Sequence, residues 1–179
     1  MVYILLADGF EEAEALVPAD LLRRAGIETV LVGVTGAAVS GVQGITVQTD
    51  LALDQVDLDK AQLIFLPGGS VGVQNLGACA EVEQLVAQAV QKDLWVAAIC
   101  AAPTLLARWG YLNGRKAICY PTLTGKLTGA VLSTDNVAVD GRFITGEAAG
   151  AAFDFGLALV KALAGAEKSE QIKNSVCYR

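Results

Sequence analysis

The chain contains no histidine in 179 residues. That removes every His-based metal site and the imidazole that ordinarily activates a catalytic serine or cysteine. Cysteine is scarce and scattered: Cys79, Cys100, Cys119 and Cys177 include no C-x-x-C pair. They read as free thiols, not as a disulfide framework or a zinc site, so no metal is expected. Positive charge is short, with 13 Lys and Arg against 19 Asp and Glu and a net charge of −6. This balance speaks against nucleic acid or an anionic membrane as a partner. No apolar run approaches the length of a bilayer span. The opening Met1-Val2-Tyr3-Ile4-Leu5-Leu6 runs straight into a strand pattern with no basic leader or cleavage pattern, so the expected location is cytoplasmic. Repeats, low-complexity tracts and linkers are also missing.

What is present is an apolar chain, 54% hydrophobic and 18% charged, of a size that suits one domain spanning residues 1–179. Short apolar strand runs at 2–6, 28–34, 63–66 and 94–99 alternate with helical patterns at 11–25, 81–92, 104–109 and 148–164, with a last helix at 167–176. A further strand is read at 116–119. Alternating positions at 38–49, and the Asp140-Gly141 turn between 137–139 and 143–145, predict two hairpins. The expected fold is α/β, a doubly wound, mostly parallel sheet. Ligands of such sheets sit beyond the carboxyl ends of the strands. Three unusual segments fall at such ends: residues 7–14, 67–70 and 100–103.

Cys100 stands where the apolar run Leu94-Trp95-Val96-Ala97-Ala98-Ile99 breaks into Ala101-Ala102-Pro103. Proline suits a first helical turn, and small Ala98 and Ala102 allow a sharp strand–nucleophile–helix turn. A thiol at a helix start is expected to favour thiolate. Without histidine, its activation must come from another group. Cys79, Cys119 and Cys177 lack this context, although Cys119 ends a strand and could lie near the site. Glu11, Glu12 and Glu14 open the first helix, where carboxylates suit the dipole. Glu14 lies toward the edge of the apolar face. If it points inward beside the thiol, a dry pocket would keep it protonated, able to hydrogen-bond a thiolate and move a proton. Pro67-Gly68-Gly69 is either an ordinary turn or a pair of bare N–H groups for an oxyanion. Tyr120 is either a structural tyrosine or a hydrogen-bond donor, and it is a poor base at neutral pH.

Taken together, ADGFEEAEALVPADLLRRAGI at 7–27, LPGG at 66–69, AAICAAP at 97–103, Tyr120-Pro121 and FDFGLALV at 153–160 resemble the ThiJ/PfpI superfamily over essentially the whole chain. The resemblance implies a flavodoxin-like sandwich, related to the class I glutamine amidotransferases, usually homodimeric and with no cofactor. It implies that Cys100 is the reactive cysteine, Glu14 its protonated partner, and Gly69 (with Gly68) and Ala101 the backbone donors. Tyr120 falls where many members carry a histidine. Glu147, in the 145–150 stretch, replaces a cation, and Val42-Gln43-Gly44 lacks an arginine, so anionic ligands are less expected. The implied function is a glyoxalase or deglycase acting on methylglyoxal, glyoxal or their early adducts. The alternative is a redox-sensing or chaperone-like stress protein that uses oxidation of Cys100. Cysteine protease chemistry is disfavoured by the missing histidine.

Overall fold

The computed structural model describes residues 1–179. Its strands are β1 (Val2–Leu6), β2 (Thr29–Gly33), β3 (Ala38–Ser40), β4 (Thr46–Gln48), β5 (Leu51–Ala52), β6 (Leu63–Leu66), β7 (Trp95–Ile99), β8 (Lys116–Ala117), β9 (Val131–Leu132), β10 (Val137–Asp140) and β11 (Phe143–Gly146). Its helices are α1 (Glu12–Arg24), α2 (Ser70–Ala78), α3 (Ala80–Gln91), α4 (Pro103–Arg108), α5 (Ala152–Ala164) and α6 (Ala166–Ser175). The central sheet has seven strands in the order β10-β11-β7-β6-β1-β2-β5. All its pairings are parallel except β10 with β11. The antiparallel pair closes on Asp140-Gly141, where the sequence predicts a turn.

Strands β1 and β6 are buried at every residue, because helices cover both faces of the sheet. One core gathers Tyr3, Leu5, Ile64 and Leu66 with Val82 and Val86 of α3 and Leu105 and Leu106 of α4. The other gathers Ile4, Leu6 and Phe65 with Leu21 and Leu22 of α1, Phe155 and Leu159 of α5, and Ile172 of α6. Alternation along each strand sends neighbouring side chains into opposite cores. Cys100 packs against both cores, at the end of the layer that separates them.

The structure departs from the sequence reading in three places. The strand read at 116–119 is two residues long, and Ile118 and Cys119 continue as irregular buried chain. Residues 70–78, which the sequence reading assigns to no element, form the nine-residue helix α2. The long helix read from 148 begins with a 3-10 turn, Ala149–Ala151, before α5. No helix is long and apolar enough to cross a membrane.

Candidate active site

Three adjacent strands, β7, β6 and β1, end side by side, and each delivers part of one site. Strand β7 ends in Cys100, whose φ of +64° is left-handed, a region a non-glycine residue occupies at a cost of about 1–3 kcal/mol. The surrounding backbone holds it there. The Cys100 N–H donates to Gly146 O at the end of β11 (2.9 Å), and the Tyr120 N–H donates to Cys100 O (2.8 Å). Ala98 and Ala102 are both fully buried, as the sharp turn requires.

Strand β6 delivers Gly68 and Gly69. A side-chain carbon at Gly68 would lie 2.6 Å from Cys100 Cβ and collide with the Glu14 carboxylate, so only glycine lets these two groups approach. Gly69 has φ +93° and packs against Gly9 and Phe10 of the loop after β1. The Glu11 N–H donates to Gly68 O at 3.0 Å, joining that loop to the start of α1. Strand β1 thus leads into α1 and places Glu14, 1% exposed, against the thiol.

Burial pushes the Glu14 carboxyl up to about 7, and the charge of Glu11 adds to the rise. The Cys100 thiol and the Gly68 and Ala149 backbone N–H groups oppose it. None of the three reaches full hydrogen-bond geometry in this arrangement, and Glu14 Oε2 is buried without a partner. For Cys100, burial is the largest upward cause, followed by the charge and close approach of the Glu14 carboxyl, and together they push the thiol up to about 12. The Gly69 and Ala101 N–H groups pull the other way. Facing an ionised Glu14, the thiol loses the advantage that a helix start offers a thiolate. Helix α4 has only six residues, a weak dipole, while the neighbouring carboxylate is a full charge in a dry site. The value of about 12 belongs to a thiol facing an ionised Glu14. The two groups therefore titrate as a pair.

The structure brings Cys100, Glu14, Gly68, Gly69 and Ala101 together. It also divides the two glycines. The Gly69 N–H serves the sulfur, whereas the Gly68 N–H faces Glu14. Tyr120 is tied to Cys100 through its backbone, but its side chain is 44% exposed. Cys119 is fully buried with its Sγ toward Tyr120 O (3.5 Å), and burial raises its thiol to about 11. Glu147 is half-buried, next to the Gly146 carbonyl that anchors Cys100. No cluster of three or more acidic or thiol side chains is placed to hold a metal.

Two contributors went unread in the sequence. Ala149 adds an N–H toward Glu14 from the 145–150 stretch, whose unusual composition was the available signal. Glu12, 6% exposed, accepts from the Gln43 N–H (2.7 Å) and the Ile45 N–H (3.3 Å), fixing the β3–β4 turn onto α1. Its signal was the surplus of three acids at one helix start.

The DJ-1/PfpI family model matches residues 1–162. The chain is 36% identical over 172 residues to Protein dj-1beta of Drosophila melanogaster, covering 94% of this chain and 92% of the fly protein. The crystal structure of that fly protein superposes with a TM-score of 0.93 at 34% identity, over 99% of this chain and 97% of the other. The glutathione-independent glyoxalase DJR-1.2 of Caenorhabditis elegans is 32% identical, with 97% and 94% covered. Deglycase TK1284 of Thermococcus kodakarensis is 33% identical, with 80% and 87% covered. The fold, the matched span and these relatives agree: the chain belongs to the DJ-1/PfpI family.

Proposed function

We propose that this protein is a cysteine-dependent glyoxalase of the deglycase type, acting on methylglyoxal, glyoxal or their early adducts on amines and thiols. The observation that carries the reading is the juxtaposition of Cys100, in its left-handed turn, with the buried Glu14 carboxyl. Relatives named glyoxalase and deglycase support the class of reaction.

In the reactive form the one shared proton sits on Glu14 and the charge on sulfur. Two features favour that form. Glu14 Oε2 is buried with no donor, so a carboxylate there is poorly solvated, and Cys100 is the more exposed of the two. A carboxyl O–H at Oε2 would also donate to the thiolate.

For methylglyoxal, Sγ bonds to the aldehyde carbon while the carbonyl oxygen takes the Glu14 proton, supported by the Gly69 and Ala101 N–H groups. The resulting carboxylate removes the former aldehyde hydrogen as a proton and returns it to the neighbouring carbon. The hydroxyl proton passes between the two oxygens, which leaves a lactoyl thioester. Water then cleaves the C–S bond, releasing lactate and restoring the pair. The oxidation of one carbon is balanced by reduction of the next, so no external oxidant is needed. With an adduct, the amine or thiol leaves when sulfur attacks.

The test is lactate formation from methylglyoxal by the wild-type protein, Cys100→Ser and Glu14→Gln. The reading expects lactate from the wild type, none above background from Cys100→Ser, and a fall of roughly 10²–10⁴ for Glu14→Gln, the usual worth of a positioned acid–base group. Absence of Cys100-dependent lactate removes it.

A further inference from the structure

A cavity of about 420 Å³ opens between α2, α4 and the 3-10 segment Pro121–Lys126. It starts at the residues that flank the reacting sulfur: Ala101, which follows Cys100, and Ser70, which follows Gly69, both line it. Its walls carry two cations, Arg108 and Lys126, and no carboxylate. Neither cation has an acidic partner, a condition they share with Lys116, Lys161, Lys168, Lys173 and Arg179, but these two alone line this cavity. Arg108 is steadied by one N–H donated to Gly77 O (3.0 Å) and by the Trp109 ring 5.8 Å away. Its other donors remain free, because a guanidinium carries five. Thr104 and Gln74 add neutral polar groups to the wall. In a chain of net charge −6, two cations on the wall of one acid-free cavity favour an anion there.

We propose that this cavity receives the carboxylate end of an adduct whose carbinol carbon reaches Cys100. The preferred substrates are then hemithioacetals or aminocarbinols formed on small acids, over those formed on neutral molecules. The identity of the adduct rests on the glyoxalase reading; the anion site does not. Arg108 and Lys126 would then supply the positive charge that positions 43 and 147 lack.

The experiment uses two stable thioether probes that differ in charge, S-(2-hydroxypropyl)-N-acetylcysteine and its carboxamide. Protection of Cys100 from iodoacetamide is followed by mass spectrometry. The acid should protect at about fivefold lower concentration than the amide, the effect of two unit charges within a Debye length in a water-like dielectric. The double variant Arg108→Gln/Lys126→Gln should bring the two curves together. Arg108→Lys, which keeps the charge, should retain the preference and so separate charge from packing. Equal protection by acid and amide, protection by neither, or a preference that survives the double variant overturns the proposal. Methylglyoxal turnover is measured on the same samples. Charge-dependent protection without turnover upholds the anion site and removes the glyoxalase reading. Turnover with equal protection does the reverse.

Discussion

Replacing Glu14 by glutamine should stabilise the protein at alkaline pH, although it removes a group central to the proposed chemistry. The folded chain raises this carboxyl from 4.5 to about 7, chiefly by burial. A raised carboxyl keeps its proton in the folded state where the unfolded chain has already lost it. Stability therefore falls as pH climbs from 4.5 to about 7, and above that the whole loss is present. At 1.36 kcal/mol per unit, the loss is about 3 kcal/mol. Glutamine is a neutral isostere and escapes it. The clean comparison is made in a Cys100→Ala background, because Cys100 is the one side chain that opposes the rise. There Cys100→Ala/Glu14→Gln should exceed Cys100→Ala by about 3 kcal/mol at pH 8, roughly 6 to 12 °C in Tm for a chain of this size. The difference should shrink toward zero at pH 4, where both side chains are neutral. Urea unfolding and calorimetry at pH 4, 6 and 8 measure it. A glutamine variant less stable at pH 8, or a difference that does not change with pH, refutes the reasoning.

Gly68→Ala should leave a folded but inactive protein. The added carbon lies 2.6 Å from Cys100 Cβ and 3.0 Å from Ile99 O. Overpacking of that kind costs about 1–3 kcal/mol, and turnover within twofold of wild type would contradict it. Glu12→Ala deprives the Gln43 and Ile45 N–H groups of their acceptor, at a cost of about 1–3 kcal/mol. Hydrogen exchange should quicken at 41–45 while Cys100 reactivity holds, and unchanged exchange would count against the assigned role. Sub-stoichiometric peroxide should modify Cys100 before Cys79, Cys119 and Cys177, as mapped by mass spectrometry. Cys119 should lag furthest, because it is fully buried. Equal modification of all four would contradict this.

Much of this arrangement can be read from local sequence. Leu63–Leu66 and Trp95–Ile99 are legible because strands buried on both faces are apolar without interruption. The turn at Asp140-Gly141 is legible because its residue types are demanded by its geometry. Cys100 stands out because Ala98, Ala102 and Pro103 around it answer one steric need. Helix α2 does not, since SVGVQNLGA holds two glycines in nine residues and relies on packing for its helicity. The electrostatics were the least legible part. A helix start next to a cysteine suggests a lowered pKa, but the sign depends on how deeply Glu14 is buried and on whether it carries its charge. Those are facts of tertiary packing. The Glu12 contact and the Arg108–Lys126 cavity are likewise hidden, because each joins elements far apart in the chain.

The most direct measurement is the pH dependence of Cys100 alkylation in the wild type and in Glu14→Gln, with the other three thiols as internal controls. If the shared proton resides on Glu14, wild-type Cys100 reacts as a thiolate below the free-thiol range, and Glu14→Gln moves its apparent pKa up, because an amide is a weaker donor to sulfur than a carboxylic acid. If Glu14 instead ionises first, wild-type Cys100 stays unreactive until about 12, and Glu14→Gln moves it down by removing the neighbouring charge. The two accounts differ in the sign of one shift, and a downward shift would contradict the mechanism proposed for this site.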